Sequence, residues 1–190
     1  MNTLDFGADF ARILKGITVA APPGTPLCSV GLEMQEMAEA YLQDGEEFFR
    51  IHDLPNAHAA FTYGFGWLCA GLALGYLASG EKTWEELPLF SRSSAGGEKA
   101  FLEKTLRYQH ILALALEAIC PAPDPASVPY KMADLVRRRA EAMHARGSGQ
   151  VAEEDFLNAL GCFSCGHGWL DAGIRAGLFQ ITGSRHLFTI

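Results

Sequence analysis

Apolar residues recur along this chain at three- and four-residue steps. Val30, Met34, Met37, Tyr41, Gly45 and Phe48 form one such stripe, which Leu42 and Phe49 widen. Phe101, Thr105, Tyr108, Leu112, Ala115 and Ile119 form another. The pattern breaks at Pro-rich stretches, 21–26 and 121–129, and at the soft run 91–97. Between these breaks the periodicity predicts six helices, about 4–20, 28–51, 54–79, 98–120, 128–146 and 152–179. Asp53 is placed to cap the third, with Pro55 tolerated in its first turn. Valine and isoleucine are sparse and no alternating run appears, so a sheet has little to build from. Only the tail 180–190 is compatible with extended chain. The expected class is all-α.

A gapless shift of 102 residues lays one half of the chain on the other. Asp53, Asn56, Ala57, Phe61, Gly64, Gly66, Trp67, Leu68, Ala70, Gly71 and Gly75 fall on Asp155, Asn158, Ala159, Phe163, Gly166, Gly168, Trp169, Leu170, Ala172, Gly173 and Gly177. Two of the three tryptophans in the chain share this motif. The repeat predicts two fused three-helix units, 1–95 and 96–190, packed as one pseudo-two-fold helical bundle. A unit whose glycine- and tryptophan-bearing face is bare gains a cover from the second copy, as in an isologous dimer. The Gly64/Gly166, Gly71/Gly173 and Trp67/Trp169 pairs are expected on those faces.

The third helix of each half carries Gly-x-Gly-Trp-Leu-x-Ala-Gly-x-x-x-Gly. Glycine inside a helix costs about 1 kcal/mol relative to alanine, so something must offset four of them. Close backbone packing does this, and a ligand resting against the bare surface beside the tryptophan does it too. Residues 57–78 hold no formal charge and match a membrane span in length. The repeat partner of that stretch carries His167, Asp171 and Arg175, which are costly in lipid, so a buried core helix is expected and a membrane is not.

At this motif the chain resembles the archaeal domain of unknown function numbered 357. Members of that family pair Ala-Glu-x-Tyr…Asp-Gly/Ala…Phe with a later Asn-Ala…Phe…Gly-Trp-Leu-Asp-Ala-Gly…Gly-Leu-Phe. The second half keeps Asn158, Ala159, Phe163, Gly168, Trp169, Leu170, Asp171, Ala172, Gly173, Gly177, Leu178 and Phe179. The first half keeps Ala38, Glu39, Tyr41, Asp44, Gly45, Phe48, Asn56, Ala57, Phe61, Gly66, Trp67, Leu68, Ala70 and Gly71, and departs at Cys69, where the motif has aspartate. The resemblance implies a helical-hairpin fold and an archaeal cytosolic origin, and it brings no activity with it. A tetratricopeptide solenoid is disfavoured, because a step of 34 residues from Ala57 and Phe61 lands on Ser91 and Ala95.

Of 190 residues, 49% are hydrophobic and 19% charged, which excludes intrinsic disorder. The net charge of −7 makes a nucleic-acid partner unexpected. Residues 1–95 hold 5 basic and 12 acidic side chains, and residues 96–190 hold 10 of each, an asymmetry suited to steering a partner. Five cysteines without a secretory leader read as reduced thiols in the cytoplasm. Cys162-x-x-Cys165 with nearby His167 lacks a second ligand pair, so no metal and no cofactor are expected. His167, Asp171 and Arg175 lie four apart on one helix face. They form either a solvated stripe, with Asp171 and Arg175 in the favourable order for an ion pair, or a polar ligand site beside Trp169. Trp67 completes that candidate ligand-binding set.

Arg137, Arg138 and Arg139 precede His144 at the loose Arg-x4-6-His spacing of HEPN ribonucleases, which makes Arg138, Arg139 and His144 the candidate RNA contacts of an alternative reading. The ordinary reading is a solvated helix face whose alkyl stems cover apolar surface. No phosphate loop, nucleophile elbow or serine–histidine–acid order is present, so catalysis is not expected. Three readings stay open: a non-enzymatic scaffold or protein-interaction module, an RNA-associated helical protein, and a small-molecule binder. The assembly is either a monomeric pseudo-dimer or a homodimer.

Overall fold

A computed structural model describes residues 1–80, 86–91 and 98–189. Among these residues six α-helices form: α1 Thr3–Lys15, α2 Pro26–Arg50, α3 Leu54–Ala73, α4 Glu98–Glu117, α5 Val128–Ala152 and α6 Phe156–Arg175. Four three-residue strands accompany them: β1 Ile17–Val19, β2 Leu77–Ser79, β3 Ile119–Pro121 and β4 Phe179–Ile181. Adding 102 to the bounds of α2, α3, β1 and β2 gives those of α5, α6, β3 and β4. The soft run singled out at 91–97 falls, from 92 onward, outside the described residues.

The starts of α1, α2, α3, α5 and α6 have a local cause. Asn2, Thr25 and Ser127 accept from the backbone N–H groups of Asp5, Cys28 and Tyr130, satisfying donors that have no partner within the helix. Asp53 and Asp155 do the same for Asn56 and Asn158. The chain turns from α2 into α3 through His52 at φ 63° and from α5 into α6 through Glu154 at φ 57°. In both turns the left-handed residue and its successor donate back to the last helical turn, at Phe49 and Phe48 and at Val151 and Gln150.

The third helices end sooner than the glycine pattern predicts. Gly75 and Gly177 take φ 77° and 72° just past the helix, so they close it instead of lying within it. Beyond Gly75, where the sequence predicts continuing helix, β2 returns to pair antiparallel with β1; beyond Gly177, β4 opens the tail read as compatible with extended chain and pairs with β3. These two short ribbons tie the end of each first helix to the end of the third. The rest of the packing among the described residues is chiefly helix on helix.

Every residue from Ala57 to Gly71 and from Asn158 to Gly173 is buried. Helices α3 and α6 therefore form the centre, with α2 laid on α3 and with α4 and α5 on α6. Among the described residues no helix is long and apolar enough to cross a membrane. The uncharged stretch beginning at Ala57 is a core helix.

The two central helices meet at Gly66 and Gly168. A Cβ on Gly66 would stand closer than 3.0 Å to the Cys165 carbonyl oxygen and 3.1 Å from the Cα of Gly168. A Cβ on Gly168 would stand equally close to the Tyr63 carbonyl oxygen and 3.2 Å from the Cα of Gly66. Since Tyr63 and Cys165 are repeat partners, each copy presents the same surface to the other. That is the isologous contact of a two-fold dimer, held within one chain.

The other retained glycines do different work from that expected of them. Gly64 faces Tyr41 and the Ala38 carbonyl, and Gly166 faces Met143 and Leu112, so each packs within its own half. Gly71 faces Leu77 and Met34, and Gly173 faces Phe179 and Val136. The pair Gly66/Gly168 alone among these carries the crossing.

Candidate functional site

Beside this crossing the two halves differ. Tyr63 on α3 faces Asp171 on α6, and its hydroxyl donates to Asp171 Oδ2 at 2.5 Å. The same oxygen accepts the Thr189 backbone N–H at 3.3 Å and lies 3.7 Å from His167 Nε2. His167 Nε2 is 2.8 Å from the Leu187 carbonyl oxygen. A carbonyl only accepts, so that nitrogen carries a proton, and among the described residues the buried Nδ1 has no partner. Asp171 is fully buried. Burial raises its carboxyl above the ordinary carboxylate value, against the opposing pull of His167 and Tyr63. Burial likewise pushes the Tyr63 hydroxyl well above its usual value, reinforced by the Asp171 charge, and raises that of Tyr41.

The solvated-stripe reading of His167, Asp171 and Arg175 is thus replaced. His167 and Asp171 are buried, and Arg175 turns away to pair with Glu33 at 3.3 Å instead of with Asp171. The cause is the crossing: α3 covers the face of α6 that bears the first two, while Arg175 lies in the last turn.

Next to this cluster opens a cavity of about 540 Å³. Its walls come from α2 (Tyr41, Asp44, Phe48), α3 (Asn56, Ala59, Ala60, Tyr63), α4 (Arg107, Tyr108, Ile111), and His167 and Thr189. The Tyr41 and Tyr63 rings lie 4.3 Å apart at its edge. Asp44 and Arg107 are exposed at its mouth, and Arg107 stands 5.8 Å from the Tyr108 ring centre. Asn56 holds Asp53 through its amide nitrogen, and its Oδ1 accepts from the Lys104 ammonium.

Trp67 and Trp169 are buried in the centre and do not line this cavity. Among the described residues, the buried Trp67 Nε1 has no partner. The candidate RNA contacts are placed elsewhere. Arg138 pairs with Asp134 at 2.8 Å, Arg139 is exposed, and the His144 ring lies 5.6 Å from that of Phe163. Neighbouring Arg137 pairs with Glu141 and donates to the Leu116 and Ile119 carbonyls. Cys162 and Cys165 are buried, and burial raises their thiols, Cys162 to about 11 and Cys165 well above its usual value. No cluster suited to a metal ion occurs among the described residues.

The family described as protein of unknown function (DUF357) matches residues 9–77 and again residues 107–179. Together the two matches span well over half of the chain. The chain belongs to the DUF357 family. It carries two tandem copies of the DUF357 unit, and the crossing at Gly66 and Gly168 is the place where one copy meets the other. No curated protein and no solved structure matches it significantly.

The cavity draws on both copies, since Arg107, Tyr108 and His167 come from the second and the α2 and α3 residues from the first. Sequence reasoning found His167 and overlooked Tyr63, Tyr108, Asp44 and Arg107 as site residues. The signal that marks them is departure from the repeat. Tyr63 faces Cys165 across the shift, Asp44 faces Arg146, Tyr108 faces Phe6 and Arg107 faces Asp5.

Proposed function

We propose that this DUF357 protein is a non-enzymatic interaction module whose binding site is the cavity between its two copies. The observation that carries this reading is the cavity itself. Its 540 Å³ lies in the range of pockets that hold organic guests, roughly 300–1,000 Å³, and its walls are tyrosine rings with a few polar groups converging on them. The chemistry of the walls favours holding over reacting. The tyrosine hydroxyls are kept protonated by burial. Arg107 and Asp44 give the mouth one charge of each sign, suited to orienting a partner.

The test uses p-cresol as a side-chain-sized probe, followed by backbone amide shifts. The expected result is a saturable response at Ala59, Ala60 and Tyr108 that Tyr108→Ala abolishes while the fold is kept. A response confined to residues remote from the cavity, or none at all, rejects the reading.

A further inference from the structure

The pseudo-two-fold gives this cavity a counterpart on the other side of the crossing, and that counterpart is filled by the protein's own chain. Shifting the cavity walls by 102 residues replaces Tyr41, Asp44, Asn56, Ala59 and Tyr108 by Met143, Arg146, Asn158, Gly161 and Phe6. Across these residues runs the non-helical segment Leu87–Phe90. Asn158 holds it by two main-chain hydrogen bonds, accepting from Phe90 N–H at 2.7 Å and donating to Phe90 C=O at 2.9 Å. Arg146 Nη1 donates to the Leu87 carbonyl at 3.1 Å. The Phe90 ring packs edge-on against Phe6 at 5.1 Å, and Leu87 and Phe90 are both buried.

At the open cavity the same parts are present in a different state. Thr189 stands where the shift places Leu87. Asn56 is held by Asp53 as Asn158 is by Asp155, but its Oδ1 accepts from Lys104 where Asn158 accepts from a peptide N–H. Tyr108 offers its ring where Phe6 receives Phe90.

We infer that the cavity is a docking groove for an extended peptide segment of a partner protein bearing an aromatic residue, whose main chain Asn56 clasps through N–H and C=O while the ring lies on Tyr108. An amide side chain that reads both groups of one residue selects a peptide over a free aromatic molecule. The Lys104 ammonium, on a half-buried stem, is the group the incoming N–H displaces. Removing it therefore frees Asn56 without touching the wall.

This inference rests on the proposed binding site and names its occupant. The test titrates the full chain with acetyl-Leu-Pro-Leu-Phe-amide, the sequence of the segment that fills the other side, and with its Phe→Ala version. Amide shifts report the location and the dissociation constant. The expected result is binding mapped to Ala59, Ala60 and Tyr108, weakened about tenfold or more by the Phe→Ala peptide and by Asn56→Ala, and unimpaired by Lys104→Ala. Because Asn56 sits in the first turn of α3, Tyr108→Ala serves as a second variant remote from any cap, with the same loss expected. Peptide binding indifferent to the phenylalanine and to both variants overturns the inference. So does binding mapped to Phe6 and Gly161. If p-cresol binds at Tyr108 and the peptide does not, the inference falls and the proposed function stands. If neither binds, both fall.

Discussion

Replacing Gly168 or Gly66 by alanine puts one methyl group into the place where the two copies touch. Each new Cβ would lie closer than 3.0 Å to a backbone carbonyl oxygen, whereas ordinary contact begins at 3.4 Å. A flexible side chain could swing away, but the obstacle here is a helix backbone held by its own hydrogen bonds. The helices must therefore part by something on the order of 1 Å, and a gap of 0.5–1 Å forfeits roughly a quarter to a half of the dispersion energy of the contacts it opens. Overpacking of this kind costs about 1–3 kcal/mol, and more where rigid elements are forced apart. Against it stands a gain of about 1 kcal/mol from removing a helical glycine. The net expectation is a loss of about 2 kcal/mol for each single variant. For a chain of this size that lowers the thermal midpoint by roughly 4–8 °C. The double variant should lose less than the sum, since helices already parted by one methyl have room for the second. Gly149→Ala is the control. It lies in α5 with nothing within 4 Å of its missing Cβ, so it should stabilise by up to about 1 kcal/mol. Urea and thermal unfolding followed by circular dichroism measure all four. If Gly168→Ala and Gly66→Ala unfold no earlier than Gly149→Ala, the copies do not meet at these glycines.

Three further outcomes follow from particular residues. Tyr63→Phe removes the hydroxyl donor to a fully buried carboxylate and should cost about 1.5–3 kcal/mol by urea unfolding, with a much smaller loss in an Asp171→Asn background. His58 is fully buried and burial lowers its pKa from 6.5 to about 3, so the unfolded chain binds the extra proton. Stability should hold above pH 6.5 and fall as pH drops from there toward 3, by up to about 1.4 kcal/mol per pH unit, whereas His58→Leu, the residue of the second copy, should flatten that profile. His52→Gly and Glu154→Gly each relieve a left-handed residue at a helix end and should each stabilise by about 1 kcal/mol, and a loss in either would show that the side chain matters more than its backbone.

Much of the fold was legible because it is written twice. The cap aspartates, the helix pairs and the burial of the third helices all follow from patterns that recur after 102 residues. The ends of α3 and α6 were misjudged for a physical reason. Gly75 and Gly177 continue the helical spacing of the other glycines, and only their positive φ distinguishes a closing residue from an interior one. The strands after them are three residues long, too short to show an alternating pattern. The burial of His167 and Asp171 was hidden for another reason. Spacing assigns residues to a face of a helix but not what covers that face, and the cover here is Tyr63 from the other copy. Arg175 shares their face in projection, yet one turn further on the cover ends.

The differences between the copies are coupled across the pseudo-dyad. Asp171 is matched by Cys69 in the first copy, and Tyr63, which donates to Asp171, is matched by Cys165 in the second. The two-fold that brings Tyr63 onto Asp171 therefore brings Cys165 toward Cys69, and the Cys165 thiol is raised by burial and, behind it, by the Cys69 thiol. One side of the crossing thus holds a complete polar pair and the other a pair of small apolar groups. A mixed state, with aspartate facing cysteine, would take from a buried carboxylate its hydroxyl donor and leave it only the Thr189 N–H, whereas exchanging both partners together removes the carboxylate along with its donor. Such a coupled exchange is open only to a fused duplicate, because a homodimer must carry each substitution on both sides of its axis. The same freedom separates Asn158, which holds the chain's own Phe90, from Asn56, which holds Lys104 at the wall of an open cavity. Fusion has allowed one side of the dyad to close on itself and the other to keep a polar, tyrosine-lined mouth.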